Sequence, residues 1–358
     1  MLRCRMKTTL LAIAGLVLAA SAANAQTAVV TLKSFDSLKN DMGYIAKLVG
    51  QEERFKQLDG LIEAVTQGKG LSGLDPKRPI GFYLVGVPQP GQQPKGAAFI
   101  PVTKEEDFLD LLKIANLEPE KGAEKGSYKL ATPFGQTIHM RFANEYVYVA
   151  DSDAVLAGNL PNPANFLPAT NKNNLLAGTF RVDQLPKELK QQFLKEVDKK
   201  FEQDSKKKTH ESDAEYQFRI GATKMAREML AMFVDDSQEA AVSFNIDQAA
   251  NNIRLDLALT PKADSKLAGR IRNFTATQGV SPVHFEISFG KIAALLMPEG
   301  DQGKVFEAAR KALADASKDN AASVKFSILG GDALHMRLDV STLLIKVGAA
   351  FAPFAERD

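Results

Sequence analysis

The order in which helices and strands are predicted along the chain is the feature that most constrains its fold. A strand at Val29–Leu32 precedes a helix that Ser34 would cap and a second helix that ends near Gly68. Two strands, Ile80–Val87 and Ala97–Val102, then precede a third helix. Because this strand-helix-helix-strand-strand-helix order contains more hairpins than crossovers, it predicts a mainly antiparallel sheet covered by helices.

Apolar residues at helical spacing predict which faces of these helices are buried. The predicted positions are Leu38, Met42, Ile45 and Val49 in the first helix and Phe55, Leu58, Ile62 and Val65 in the second. Before the third helix, Thr103 and Glu106 have the spacing of a capping box, in which each side chain bonds to the backbone of the other residue. We therefore expect this helix to begin directly after Thr103.

The same order recurs twice with less regular spacing. The second unit is a strand at Thr179–Val182, helices at Pro186–Asp204 and about Ser212–Val234, strands at Val242–Ile246 and Ile253–Leu259, and a helix at Asp264–Arg272. The third is a strand at Val283–Phe289, helices near Lys291–Met297 and Gly303–Ala316, strands at Val324–Ile328 and Leu334–Leu338, and a helix from Ser341. The pattern predicts an α+β protein with about three degenerate β-α-α-β-β-α units in one or two lobes.

The stretches between these units predict the lobe boundaries. A strand-rich insert, at about residues 124–157, follows the first unit. The Pro- and Asn-rich stretch Pro161–Asn174 is the best boundary, because this composition disfavours regular structure. We therefore predict an N-terminal lobe at 26–165, made of the first unit and the insert, and a C-terminal lobe at 175–358.

Residues 1–25 have the three parts of a cleavable signal peptide. They contain a basic start with Arg3, Arg5 and Lys7, an apolar run at Leu10–Ala20, and the small-x-small cleavage site Ala23-Asn24-Ala25. The apolar run is shorter than the roughly 20 residues that cross a bilayer. We expect a mature chain that begins near Gln26, has no transmembrane segment, and is exported to the periplasm or the cell surface.

Charge and cysteine content exclude several functions for this mature chain. Removal of the three basic residues of the export segment leaves 42 basic and 43 acidic side chains, a formal charge of −1. A near-neutral chain argues against nucleic acid as a partner, since its binders carry a basic face. Cys4, the one cysteine, lies in the export segment. We therefore expect neither disulfides nor thiol chemistry, and stability that rests on the hydrophobic core.

The histidines do not form a metal-binding motif. The chain contains four: His139, His210, His284 and His335. No two have the close spacing typical of zinc sites, although distant residues could still converge. Three are predicted at outward positions of strands, and His210 in a charged loop. We expect no metal and no cofactor.

Motifs of nucleophilic and phosphate chemistry are incomplete. Ser288 and Lys291 match the Ser-x-x-Lys motif of penicillin-recognising enzymes, but the Ser-Asp-Asn and Lys-Thr-Gly partners are missing. The glycine-rich stretch Gly68–Gly73 lacks the Lys-Ser/Thr ending of a phosphate loop. The catalytic residues, if there are any, stay unknown at this point.

Two acidic clusters and one loop have structural interpretations. Asp151, in Asp151-Ser152-Asp153, is predicted to cap a short helix, and Asp235-Asp236 to end one. Paired carboxylates or calcium ligands are the alternative. The loop Pro88–Pro94 is predicted to be a solvated hairpin connection, with a recognition segment as the alternative.

Six short structural motifs stand out along the chain: Arg78–Tyr83, Ala98–Thr103, Phe108-Leu109, Tyr146–Ala150, Leu175-Leu176 and Asp247. Together they resemble exported proteins of unknown function that are common in planctomycete-type bacterial genomes. The resemblance implies a signal peptide, an α+β fold and an envelope location. It implies no activity and no catalytic residue.

The sequence leaves three functional hypotheses. The first is a non-enzymatic envelope protein that acts by binding or scaffolding, with an unidentified protein or envelope ligand as partner. The second is a hydrolase of an envelope polymer, which would need two carboxyl groups with separated pKa values in a cleft. The third is a carrier of a small apolar ligand between sheet and helices, which would need a sizeable cavity.

Overall fold

The computed structural model of the protein describes residues 26–86, 95–132, 135–167, 173–273, 283–288 and 323–345. Several predicted features lie outside these residues: the export segment 1–25, the loop Pro88–Pro94, the helices near Lys291–Met297 and Gly303–Ala316, and residues 346–358 of the last helix. These features stay predictions.

The described strands form one continuous antiparallel sheet of thirteen strands. They are β1 Gln26–Leu32, β2 Ile80–Val85, β3 Gly96–Pro101, β4 Pro119–Lys121, β5 Ser127–Ala131, β6 Thr137–Ala143, β7 Tyr146–Ala150, β8 Leu176–Phe180, β9 Ser237–Asp247, β10 Asn252–Pro261, β11 Val283–Ser288, β12 Ser323–Leu329 and β13 Leu334–Ser341. Their spatial order is β11-β12-β13-β10-β9-β8-β1-β2-β3-β7-β6-β5-β4. Together with the helices, this sheet confirms the predicted α+β fold.

Seven α-helices lie within the described ranges. They are α1 Phe35–Leu48, α2 Glu52–Val65, α3 Glu105–Ile114, α4 Asp153–Leu156, α5 Lys187–Asp204, α6 Asp213–Asp236 and α7 Lys266–Asn273. Short 3₁₀ turns occur at Pro163–Asn165 and Val182–Gln184. The first two predicted units, β1-α1-α2-β2-β3-α3 and β8-α5-α6-β9-β10-α7, are both present.

The two halves of the sheet repeat one arrangement around the central pair of strands. In the first half the strands run β1-β2-β3-β7-β6-β5 outward from the centre, and in the second they run β8-β9-β10-β13-β12-β11. A helical hairpin joins the first two strands of each half, and a single helix follows the third. Because the equivalent strands β1 and β8 are antiparallel neighbours, a pseudo-twofold axis passes between them. The residues predicted as two lobes therefore share one sheet.

The sheet has one apolar face along most of its length. On this face Leu255 of β10 lies between Phe244 of β9 and Leu338 of β13, since paired residues share a face. Helix α3 covers part of it through Phe108, which packs with Met140 and Val147. Helix α5 contributes Leu189 to a second cluster, which contains Ala28, Leu84 and Phe180.

The opposite face differs between the two halves. In the first half, residues 151–167 cover it, and Leu156 and Phe166 pack on Tyr83, Phe99 and Tyr148. In the second half, this face carries cross-strand ion pairs instead. Arg337 donates to Asp256 at 2.7 Å, and Arg254 donates to Asp339 at 2.7 Å.

The structure corrects two predicted helix starts. Helix α3 begins after Lys104 and has no side-chain cap, so Thr103 and Glu106 do not form the predicted capping box. The Thr103 amide instead donates to the carbonyl oxygen of Gly73 at 2.9 Å, which holds Thr103 in the preceding loop. Helix α4 is preceded by Ser152 at the N-cap, so Asp151 is not the cap.

Candidate functional site

The candidate site is an apolar groove between the helical hairpin α1–α2 and the sheet. Its volume is about 510 Å³ and it is open to solvent along one side. The lining residues are Asp41, Met42, Ile45, Ala46, Val49, Gln51, Arg54, Phe55, Leu175 and Ile246. Seven of these are apolar, and the polar ones are Asp41, Gln51 and Arg54. The groove can therefore accept an apolar group and contact a polar one at its edge.

Local sequence determines the shape of the hairpin that forms one wall. The Ser34 hydroxyl accepts the Ser37 amide at 3.0 Å and caps α1, as predicted. Gly50, with φ of +69°, allows the chain to turn between α1 and α2. A Cβ on Gly43 would lie 3.1 Å from the Phe55 ring, so the glycine lets this ring pack closely against α1. Phe55 thereby forms part of the groove wall.

Hydrogen bonds from the polar side of α1 attach this helix to the second half of the sheet. The Tyr44 hydroxyl donates to Asn251 Oδ1 at 2.9 Å and lies 2.9 Å from Thr342 Oγ1. Gln248 Nε2 donates to Asp41 Oδ1 at 2.8 Å. All three partners of α1 lie in the β9–β10 turn or directly after β13. These bonds hold α1 beside Ile246, which supplies the sheet wall of the groove.

The charges at the groove have different surroundings. Asp41 accepts the hydrogen bond from Gln248, so its carboxylate has a partner within the protein. Arg54 is exposed on the first turn of α2 and brings a guanidinium to the rim. An anionic group at the open side would meet this guanidinium.

A second, polar hollow lies at the β4 edge of the sheet. It has a volume of about 750 Å³ and is lined by Lys113, Asn116, Glu118, Pro119, Glu120 and Ala131. Lys113 forms an ion pair with Asp110 at 3.0 Å. The other charged residues of the lining, Glu118 and Glu120, are both acidic and form no motif of known chemistry.

The histidines occupy separate places. His335 Nδ1 lies 3.3 Å from Asp256 Oδ1, and His284 Nε2 lies 3.9 Å from Glu286 Oε2, both among the cross-strand ion pairs. His139 is half-buried beneath residues 151–167, with Nδ1 3.8 Å from Asp153, so the outward position predicted for it is wrong. The segment 151–167 covers the face of the sheet on which His139 lies. The alternation of apolar and polar residues within one strand does not reveal that another segment covers a face. In the described ranges no three His, Cys, Asp or Glu side chains are placed to hold a metal ion.

The other motifs from the sequence have structural roles or extend past the described residues. Asp236 ends α6 as predicted, and its Oδ2 also accepts the Leu267 amide at the start of α7. Asp153 is the first residue of α4, where a carboxylate interacts favourably with the helix dipole. Ser288 ends β11 opposite Ser323, whereas Lys291 lies outside the described residues.

Sequence reasoning missed a group of charged residues at the base of the α5–α6 hairpin, of which Lys190 is buried and the others are partly buried. Burial, together with the nearby charge of Lys262, lowers the pKa of Lys190. Burial raises the pKa of Glu239, which lies near the Arg181–Asp183 ion pair of 2.8 Å. Helical periodicity places Lys190 next to the apolar Leu189 but does not indicate that it is buried. These charged residues lie outside both grooves.

None of the described helices is long and apolar enough to cross a membrane.

Comparison with known proteins does not assign a function to the groove. No known family model and no curated protein matches the chain. The solved structure of TP0453, in its crystal form I, is similar over 91% of this chain and 94% of that chain, with 7% identity and a TM-score of 0.33.

Proposed function

We propose that the mature protein is an exported, non-enzymatic binding protein whose groove between α1, α2 and the sheet carries a small apolar ligand. The groove itself is the observation that supports this function most directly. Its volume of about 510 Å³ lies within the roughly 300–1,000 Å³ of small-molecule sites. Its apolar walls favour the transfer of a ligand out of water.

The volume and the apolar lining of the groove favour a ligand with one apolar chain. Each methylene group transferred from water contributes about 0.8 kcal/mol, so a chain of about ten carbons contributes about 8 kcal/mol before the cost of association. Met42 lines the groove with a flexible side chain, which can adapt to a chain-like ligand. Arg54 at the rim favours an anionic end group. We therefore propose a single-chain anionic amphiphile as the ligand class.

A fluorescent fatty acid with a dansyl group provides the first test. We expect its emission to rise and shift to shorter wavelength when the mature chain is added, because the probe leaves water. Ile45→Asp should weaken binding at least tenfold, since the substituted side chain places a charge in the groove. Leu61→Asp is the matched control, because Leu61 is 58% exposed on α2 and does not line the groove.

The Arg54→Gln variant tests the contribution of the anionic end group separately from that of the apolar chain. We expect this variant to bind the anionic probe less tightly and to bind the corresponding neutral alcohol as the wild-type protein does. Equal binding by wild type, Ile45→Asp and Leu61→Asp would refute the groove as the site. Turnover of an envelope polymer that Glu239→Gln abolishes would instead support the hydrolase hypothesis.

A further inference from the structure

The outer face of α6 carries an exposed apolar stripe. Phe218, Met225 and Met229 are 81%, 60% and 39% exposed. They are separated by seven and four residues, so they lie on one face of the helix over about 16 Å. Gly221 and Ala222 lie between them on this face, and no described atom outside its chain neighbours and its own helix backbone lies within 4 Å of where a Gly221 Cβ would be. Large apolar side chains exposed in this way indicate an interaction surface.

The stripe does not take part in the packing of its own hairpin. The opposite face of α6 contacts α5 through Arg227, which donates to both carboxylate oxygens of Asp198. Arg219, toward the same side, donates to Glu211 in the loop between the helices at 2.6 and 2.7 Å. Val234, near the helix end, is the buried residue of α6. The stripe therefore remains available to a partner.

We propose that the stripe pairs with the same stripe of a second copy of this chain, with the two α6 helices antiparallel. The charges beside the stripe select this partner. Lys224 and Glu228 lie on one flank, and Ala222 and Ala226 on the other. A twofold axis at Met225 brings like flanks together, so each Lys224 lies within one helical turn of Glu228 in the other copy. A parallel pair would set this charged flank against alanines.

The composition of the stripe suits close contact between helices. Gly221 and Ala222 are small, so the two helix axes can approach closely around the symmetry axis. The methionines can fill the remaining space because their side chains are flexible. The contact is short compared with interfaces of about 1,200–2,000 Å² in stable complexes, so we expect a weak dimer that forms as concentration rises. This inference is independent of the groove and of its ligand.

Analytical ultracentrifugation of the mature chain tests the dimer. We expect the weight-average mass to rise from that of a monomer toward that of a dimer between about 10 µM and about 1 mM. Met225→Lys should raise the dissociation constant at least tenfold, because it places two like charges at the symmetry axis. Leu61→Lys, at an exposed position on α2, should leave the dissociation constant unchanged.

Charge reversal and crosslinking test the orientation. Lys224→Glu and Glu228→Lys should each weaken the dimer, and the double variant should restore it, because the charges are again opposite. In a mature chain without native cysteine, Met225→Cys should form an intermolecular disulfide on oxidation. Phe218→Cys should not, because the antiparallel arrangement separates the two copies of this position.

Three results would overturn the proposal. One is a wild-type protein that stays monomeric at the highest concentration. Another is an equal effect of Met225→Lys and Leu61→Lys on the mass. The third is a monomer that floats with phosphatidylglycerol vesicles and loses this property in Met225→Lys, which would assign the stripe to a lipid surface.

Discussion

At the scale of single residues, Gly73 holds the start of α3 against the loop before it. Gly73 has φ of +85°, which side chains other than glycine disfavour, and an added Cβ would lie 2.3 Å from the Phe108 amide nitrogen. The neighbouring atoms are backbone, so they cannot move aside as a flexible side chain would.

We expect Gly73→Ala to lower the free energy of unfolding by more than about 2 kcal/mol in urea denaturation. Gly60→Ala is the control, because Gly60 lies within α2 and no described atom outside its chain neighbours and its own helix backbone lies within 4 Å of its Cβ position. That variant should be unchanged or up to about 1 kcal/mol more stable, since alanine favours helix. Equal effects of the two substitutions would contradict the close approach at Gly73.

Tyr148 fastens residues 151–167 to the sheet. Its side chain is fully buried, and its hydroxyl donates to the Pro161 carbonyl oxygen at 2.7 Å. In Tyr148→Phe this carbonyl loses its donor, so we expect a loss of about 1–2 kcal/mol in the free energy of unfolding. Proteolysis between residues 151 and 167 should also become faster. Unchanged stability and unchanged cleavage would show that the hydroxyl is dispensable.

At the scale of elements, the loop between α5 and α6 depends on one ion pair. Two hydrogen bonds from the Arg219 guanidinium lower the pKa of Glu211 to about 2. The ordinary value is near 4.3. A carboxyl group whose pKa is lowered on folding stabilises the protein above its unfolded pKa, and this contribution is lost as pH falls through the folded pKa.

We therefore expect Glu211→Gln to melt at a lower temperature than the wild type at pH 7. The difference should shrink between about pH 4.5 and about pH 2 and then disappear. Thermal melts followed by circular dichroism at several pH values measure it. Glu188→Gln, on the exposed first turn of α5, should follow the wild-type curve at every pH.

Local patterns predicted most of the elements in the first two units. Strand β3 begins and ends one residue before its predicted range, Ala97–Val102, and α5 begins one residue after the predicted Pro186. Ser212, the predicted start of α6, forms a complete capping box with Glu215. The Thr103–Glu106 spacing did not form one, because the loop containing Thr103 is held by Gly73. A capping motif therefore predicts a helix start only where no tertiary contact competes.

The groove could be predicted only in part. Met42, Ile45, Val49 and Phe55 follow from helical periodicity, and all four line it. Leu175 and Ile246 come from distant parts of the chain and depend on the order of strands in the sheet. The periodicity and composition of a strand indicate which of its faces is apolar, but they do not indicate which strands are its neighbours in the sheet.

At the scale of the whole molecule, stability should decrease from the central strands to the two helical hairpins. Ala97, Phe99, Val147 and Ala177 are completely buried in β3, β7 and β8, whereas α1 contains no buried residue. We expect the amides of β1, β3, β7 and β8 to exchange with deuterium most slowly. The amides of α1, α2 and α6 should exchange first, by local opening. Uniform exchange over these elements would contradict this order.

The attachment of α1 has a consequence for the order in which the parts of the groove form during synthesis. Tyr44 is separated from Asn251 by 207 residues and from Thr342 by 298. A chain that emerges from its N-terminus exposes α1 early, whereas Asn251 emerges much later and Thr342 emerges near the end. The groove therefore cannot reach its final shape until almost the whole chain has been synthesised. In the exported protein that we propose, a ligand would enter this groove only after almost the whole chain has been translocated.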